Sequence, residues 1–106
     1  MFDAYEISLQ LARSLRPHLV RLRSCDASLT NQLTRALTSV PLNLSEGRRR
    51  VGKDRTHLFR IAEGSVAEVR ACLDTANALG YVEQEGLAEP LALIDRMQAM
   101  CWRLTH

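Results

Sequence analysis

From residue 58 to residue 79, Leu58, Ala62, Ser65, Val69, Cys72, Ala76 and Leu79 recur at unbroken steps of four and three. That period is a heptad seam, and only an α-helix of about six turns presents it on one side. The seam residues are mostly small, so a partner helix can approach closely. A helix of that length with so narrow an apolar face needs other long helices against it. The chain has 46% hydrophobic residues but only 5% aromatic ones, so its core material is Leu, Ala, Val and Ile. This mixture suits helix packing, and no stretch alternates long enough to make a strand.

Three further periodic stretches accompany the seam. The spacing predicts helices over about Asp3–Arg23, Asp26–Glu46, Asp54–Leu79 and Glu83–Thr105, the regular part of the last beginning near Glu89. The first carries Tyr5, Ala12, Leu15, Leu19 and Leu22, widened by Ile7, Leu9 and Leu11. The second carries Leu29, Leu33, Ala36, Leu37, Val40 and Leu44, with Asp26 or Ser28 as its N-cap. The fourth carries Leu87, Leu91, Ile94, Met97, Cys101 and Leu104. Pro17 and Pro41 fall inside helices. Because the apolar positions continue across Pro41, a bend is expected there rather than a break. Gly80 is the expected stop of the third helix. The connections come out at about two, seven and three or four residues. Short connections make neighbours antiparallel, so the expected fold is all-α: one up-down-up-down four-helix bundle spanning residues 1–106.

Several classes are excluded at this level. No window approaches the 18 apolar residues of a membrane span, and "MFDAYEIS" lacks the basic and apolar regions of a secretory signal. Cys25, Cys72 and Cys101 are far apart, and His18, His57 and His106 form no metal-ligand spacing with them. The expectation is a cytoplasmic protein with reduced thiols and neither metal nor cofactor.

One polar stripe interrupts this apolar scheme. Gln32, Arg35, Ser39, Asn43 and Glu46 share a face of the second helix, and Glu63, Gly64, Ser65 and Glu68 cluster on the third. The structural reading joins Arg35, Ser39, Asn43 and Glu46 to Ser65 and Glu68 across the helix pair, in a network that fixes which helix faces which. In that reading Gly64 admits a neighbouring backbone and Gly47 ends the second helix. A catalytic reading needs a base beside a nucleophile, and no histidine has the spacing to join the stripe. No enzymatic activity is expected.

The residues of this stripe also carry a resemblance. "QLTRALTSVPLNLSEGRRR", "FRIAEGSVAEV" and "ALGY" follow one another in the order typical of the 23S rRNA-intervening-sequence protein family, also called the bacterial four-helix-bundle proteins. The chain resembles that family over residues 29–82. The resemblance implies a four-helix bundle assembled as a ring-shaped homopentamer, encoded within ribosomal RNA insertions or standing alone. The family includes proteins similar to the accessory variability determinant of diversity-generating retroelements, a basic pentamer that binds nucleic acid. It brings no catalytic residues to this sequence.

The functional expectation rests on "GRRRVGKDR". Arg48, Arg49, Arg50, Lys53 and Arg55 form a cationic loop suited to phosphate contacts on RNA or DNA, which Arg13, Arg16, Arg21 and Arg23 would extend. No aromatic platform accompanies the arginines, so neither base stacking nor sequence-specific single-strand readout is expected. The alternative is a protein–protein scaffold with no nucleic-acid ligand. Residues 1–60 hold 11 Lys/Arg against 5 Asp/Glu, and residues 61–106 hold 3 against 7. This asymmetry predicts that the basic half of one copy meets the acidic half of the next.

Overall fold

Residues 2–106 are described by a computed structural model. Four helices follow in order: α1 Asp3–Cys25, α2 Ala27–Arg48, α3 Gly52–Ala78 and α4 Ala88–Thr105, with a short 3₁₀ turn, Gln84–Leu87, leading into α4. Each helix packs on two others in the cyclic order α1, α2, α3, α4, and α2 with α3 forms the most extensive interface. The result is the antiparallel four-helix bundle expected, with extents of 43 × 23 × 20 Å. Both α1 and α2 continue through their prolines, Pro17 and Pro41. No helix among the described residues is long and apolar enough to cross a membrane.

The connections differ from expectation, for local reasons. Between α1 and α2 the chain reverses on Asp26 alone, whose backbone is extended at φ −159°. Its amide donates to Leu22 O at 2.7 Å, and its carboxylate accepts from the amide of Leu29 at 2.9 Å. Asp26, rather than Ser28, is therefore the N-cap. The α2–α3 connection is shorter than seven residues and comprises only 49–51. Gly47 does not end α2. It is buried inside the last turn, where an added Cβ would lie 2.7 Å from Phe59 Cε1. The reversal uses Gly52 instead, at φ 61°. The α3–α4 connection is longer than predicted, covering 79–87. Gly80, at φ 79°, sits in a Schellman turn in which Tyr81 N donates to Ala76 O at 2.9 Å and Gly80 N to Asn77 O at 3.0 Å. That turn carries Leu79 out to solvent, so the buried seam of α3 ends at Ala76.

The core is one layer of interlocking aliphatic side chains. Leu11, Leu15, Leu22, Leu33, Val40, Leu44, Val66, Val69, Leu73, Ile94 and Met97 are fully buried, each stabilising by about 1.5–3 kcal/mol relative to exposure. Phe59, Val66 and Leu73 widen the α3 seam on its inner side.

The antiparallel order also sorts charge along the bundle. Phe2, the end of α2, the start of α3 and the end of α4 meet at one end. There the Arg48 guanidinium lies 5.4 Å from the Phe2 ring centroid, and the Phe2 and Phe59 rings are 6.0 Å apart. We call this the arginine end. Glu83 and Glu85 belong to the connection at the opposite end, and Glu89 to the first turn of α4 there.

Candidate functional site

The polar stripe resolves into a smaller unit than the sequence implied. Ser65 Oγ donates to Ser39 Oγ at 2.8 Å, joining α3 to α2. Asn43 Nδ2 donates to Ser39 O at 2.9 Å and to Ser39 Oγ at 3.0 Å. Ser39, Asn43 and Ser65 are thus the latch between the two helices, and no buried side-chain polar atom among the described residues lacks a partner. Arg35, Glu46 and Glu68 are not part of it. Arg35 and Glu68 are exposed, and Glu46 receives Arg50 Nε at 3.0 Å from the connection that follows its helix. Their helical faces turn outward, because the close approach of α2 and α3 at Ser39 and Ser65 leaves room only for short side chains. Gly64 is likewise exposed, with nothing within 4 Å of an added Cβ, so it admits no helix of its own subunit.

The five cations of the arginine loop divide by role. Arg55 is structural: its Nε donates to Gly47 O at 3.2 Å and its Nη2 to Arg48 O at 2.9 Å. These bonds satisfy carbonyls at the C-terminus of α2 and place a positive charge at its negative end. Arg48 is drawn over Phe2, and Arg50 is paired with Glu46. Arg49 and Lys53 are exposed and carry no ion pair among the described residues.

Lys53 is joined by two residues that the loop-centred reading missed. A shallow cleft of about 600 Å³ is lined by Gly52, Lys53, Thr56, His57 and Arg60. Lys53, His57 and Arg60 stand at steps of four and three on the outer side of α3, a helical pattern present in the sequence beside the denser arginine triplet. No carboxylate lines this cleft. The N-terminus of α3 has no side-chain cap, since Val51 occupies the N-cap position. Its first amides and helix dipole add positive potential to that of the side chains. On its other side His57 borders a second hollow with Glu46, Arg50, Asp54 and Leu58.

The arginines of α1 do not extend this cleft. Arg13 and Arg16 line separate hollows with Pro17, Gln10, Ser14, Val20 and Glu89. Arg21 and Arg23 lie nearly 20 residues along α1 from Phe2, about 30 Å by helix rise. Arg23 donates to Asn31 Oδ1 at 3.1 Å.

The thiols complete the inventory. Cys25 is exposed, while Cys72 and Cys101 are buried. Burial, reinforced by Glu63, pushes the Cys101 thiol up to about 11. Burial and then Glu68 raise that of Cys72. No group of three or more His, Cys, Asp or Glu among the described residues is placed to hold a metal ion.

An all-α bundle with a serine latch at its centre and a cationic cleft at one end defines the class: a small four-helix-bundle protein. The chain belongs to the 23S rRNA-intervening sequence protein family, whose model matches residues 2–103. Its fold is similar to that of a crystal structure of a protein of unknown function from the S23 ribosomal protein family of Bacteroides thetaiotaomicron VPI-5482. The two share 16% identity and a TM-score of 0.84, over 96% of this chain and 97% of that one. No curated protein matches the sequence.

Proposed function

We propose that this protein is a non-enzymatic, self-associating bundle that binds the phosphate backbone of RNA or DNA at its arginine end. The observation that carries this reading is the cleft on α3, where Lys53, His57 and Arg60 converge with no carboxylate in the lining. Arg49, the C-cap of α2, is an exposed cation three residues before Gly52 of the lining. Cations held at helical spacing contact phosphates without reading bases, so binding is tolerant of sequence. The family's description associates it with 23S rRNA intervening sequences and names no ligand.

A second observation favours self-association. Gly64, Ala67 and Ala71 form an exposed strip of small residues on α3, and Gly64 costs the helix about 1 kcal/mol relative to Ala with no return inside the subunit. A copy of the chain approaching this strip would use it, in the pentameric ring that the family resemblance implies. Parallel subunits in such a ring place every arginine end on one face, where weak contacts add as multivalency. In that arrangement the small-residue strip would make the close approach, alongside the meeting of one copy's basic half with the next copy's acidic half. A protein–protein scaffold without nucleic acid is the competing use of the same assembly.

The test is binding of a labelled RNA of mixed sequence between 50 and 200 mM salt. Three phosphate contacts per subunit give a slope of log affinity against log salt of about −2 for a single strand. Changing Arg49, Lys53 and Arg60 to Glu should abolish binding while circular dichroism stays unchanged. Affinity insensitive to salt, or unaffected by those reversals, refutes the phosphate reading. Ala67→Glu should reduce the assembly in sedimentation; a monomeric wild type at micromolar concentration refutes self-association.

A further inference from the structure

The C-terminal turn of α4 carries an exposed aromatic pair. Trp102 is 57% exposed, and its indole stacks on the imidazole of His106 with centroids 4.5 Å apart and planes 9° from parallel. The imidazole is held from below: His106 Nδ1 lies 3.0 Å from Trp102 O and 2.9 Å from Thr105 Oγ1. Thr105 Oγ1 in turn lies 3.4 Å from Glu63 Oε1 on α3. Arg60, which lines the cationic cleft, stands one turn before Glu63. By the helix rise of 1.5 Å per residue, Arg60 lies about 4.5 Å and Lys53 about 15 Å along α3 from Glu63, so the Arg60 side of the cleft is the one nearer the α4 end that carries the aromatic pair. The carboxylate in between, Glu63, is half-buried and taken up by Thr105.

We propose that Trp102 and His106 form a stacking platform for an unpaired nucleobase of the strand whose phosphates occupy the Lys53–His57–Arg60 cleft. The inference rests on the phosphate-binding reading above and narrows its ligand from any polyanion to single-stranded RNA or DNA. The occupant follows from the juxtaposition. A flat aromatic face beside a line of cations matches the alternating base and phosphate of a single strand, whereas a duplex keeps its bases stacked within itself. His106 covers one face of the indole, and stacking on a base would remove the other from water. The order of the helices brings together an α4 aromatic and α3 cations that lie more than 40 residues apart in sequence.

Trp102 is the only tryptophan in the chain, so its emission reports the platform directly. A 12-nucleotide oligothymidine strand and a duplex of equal length would be titrated into the intact protein, following indole emission and probe anisotropy. The single strand should quench Trp102 in step with binding; the duplex should bind without quenching. Trp102→Ala should weaken single-strand binding by about 5- to 150-fold, leaving duplex affinity and the salt slope unchanged. Trp102→Phe should recover most of the loss, and thermal melts would confirm that both variants fold. If Trp102→Ala binds the single strand normally while Lys53→Glu with Arg60→Glu does not, stacking is refuted and the phosphate reading stands. If the wild type binds neither probe, the phosphate reading itself fails. Blue-shifted Trp102 emission in the assembled protein, unchanged by either probe, would show that a second copy covers the indole and would overturn the proposal.

Discussion

Gly47→Ala and Gly64→Ala are one chemical change at two helical glycines, and the structure gives them opposite signs. Replacing glycine by alanine inside a helix gains about 0.4–1 kcal/mol, from propensity and from restriction of the unfolded chain. At Gly64 nothing lies within 4 Å of the new methyl group, so this gain is realised in full. At Gly47 the methyl would stand 2.7 and 2.8 Å from Phe59 Cε1 and Cδ1, and 3.3 Å from Leu58 Cβ. The Phe59 ring cannot turn aside freely: it is 5% exposed and packs against Phe2. Overpacking of this kind costs about 1–3 kcal/mol, which outweighs the helix gain and leaves a net loss of about 1–2 kcal/mol. At about 4–8 °C per kcal/mol the two variants should melt roughly 6–24 °C apart, on either side of the wild type. Urea unfolding at matched slope, repeated over a range of protein concentrations to separate assembly from folding, measures both. A Gly47→Ala variant as stable as the wild type would mean that Phe59 yields, and the packing argument would be wrong. Loss of stability in monomeric Gly64→Ala would mean that the open space around Gly64 is illusory.

Arg55→Ala should destabilise by about 1 kcal/mol through loss of the α2 cap and leave the salt slope of RNA binding unchanged. Arg49→Ala should do the reverse, as paired melts and titrations would show. A double-mutant cycle on Ser39→Ala and Ser65→Ala should give a coupling of about 0.5–1.5 kcal/mol; a coupling near zero would dismiss the latch. A thiol reagent should modify only Cys25 quickly in the native protein, and Cys72 and Cys101 after unfolding. At pH 8 about one Cys101 in a thousand is the thiolate, given its value near 11. Stability should also fall as pH rises from 9 to 11. The folded state holds the Cys101 proton more tightly than the unfolded chain, so the contribution is complete below about 9 and lost toward 11, on the order of 2–3 kcal/mol at most. Cys101→Ala should flatten that decline in a pH series of melts.

The arginine loop shows where sequence reading was sufficient and where it failed. Density of charge identified the right end of the molecule, because the cations are contiguous in the chain. It did not rank them: Arg55 is consumed by two carbonyls, Arg50 by Glu46 and Arg48 by Phe2. The cleft instead depends on His57 and Arg60, which join Lys53 only when α3 is wound as a helix. The latch behaved similarly. Ser39, Asn43 and Ser65 meet, while Arg35, Glu46 and Glu68 point away, because a helix face is set by rotation as well as by spacing.

The sequence by itself determined the helices, their antiparallel order and most of the core residues, because hydrophobic period and chain connectivity are local properties that survive in one dimension. Tertiary structure alone decided which glycine is a packing contact and which a vacant position, which arginines are free, and that an α4 tryptophan stands beside an α3 cationic cleft. Those outcomes depend on distances between residues far apart in the chain, fixed only when the four apolar faces close on one another.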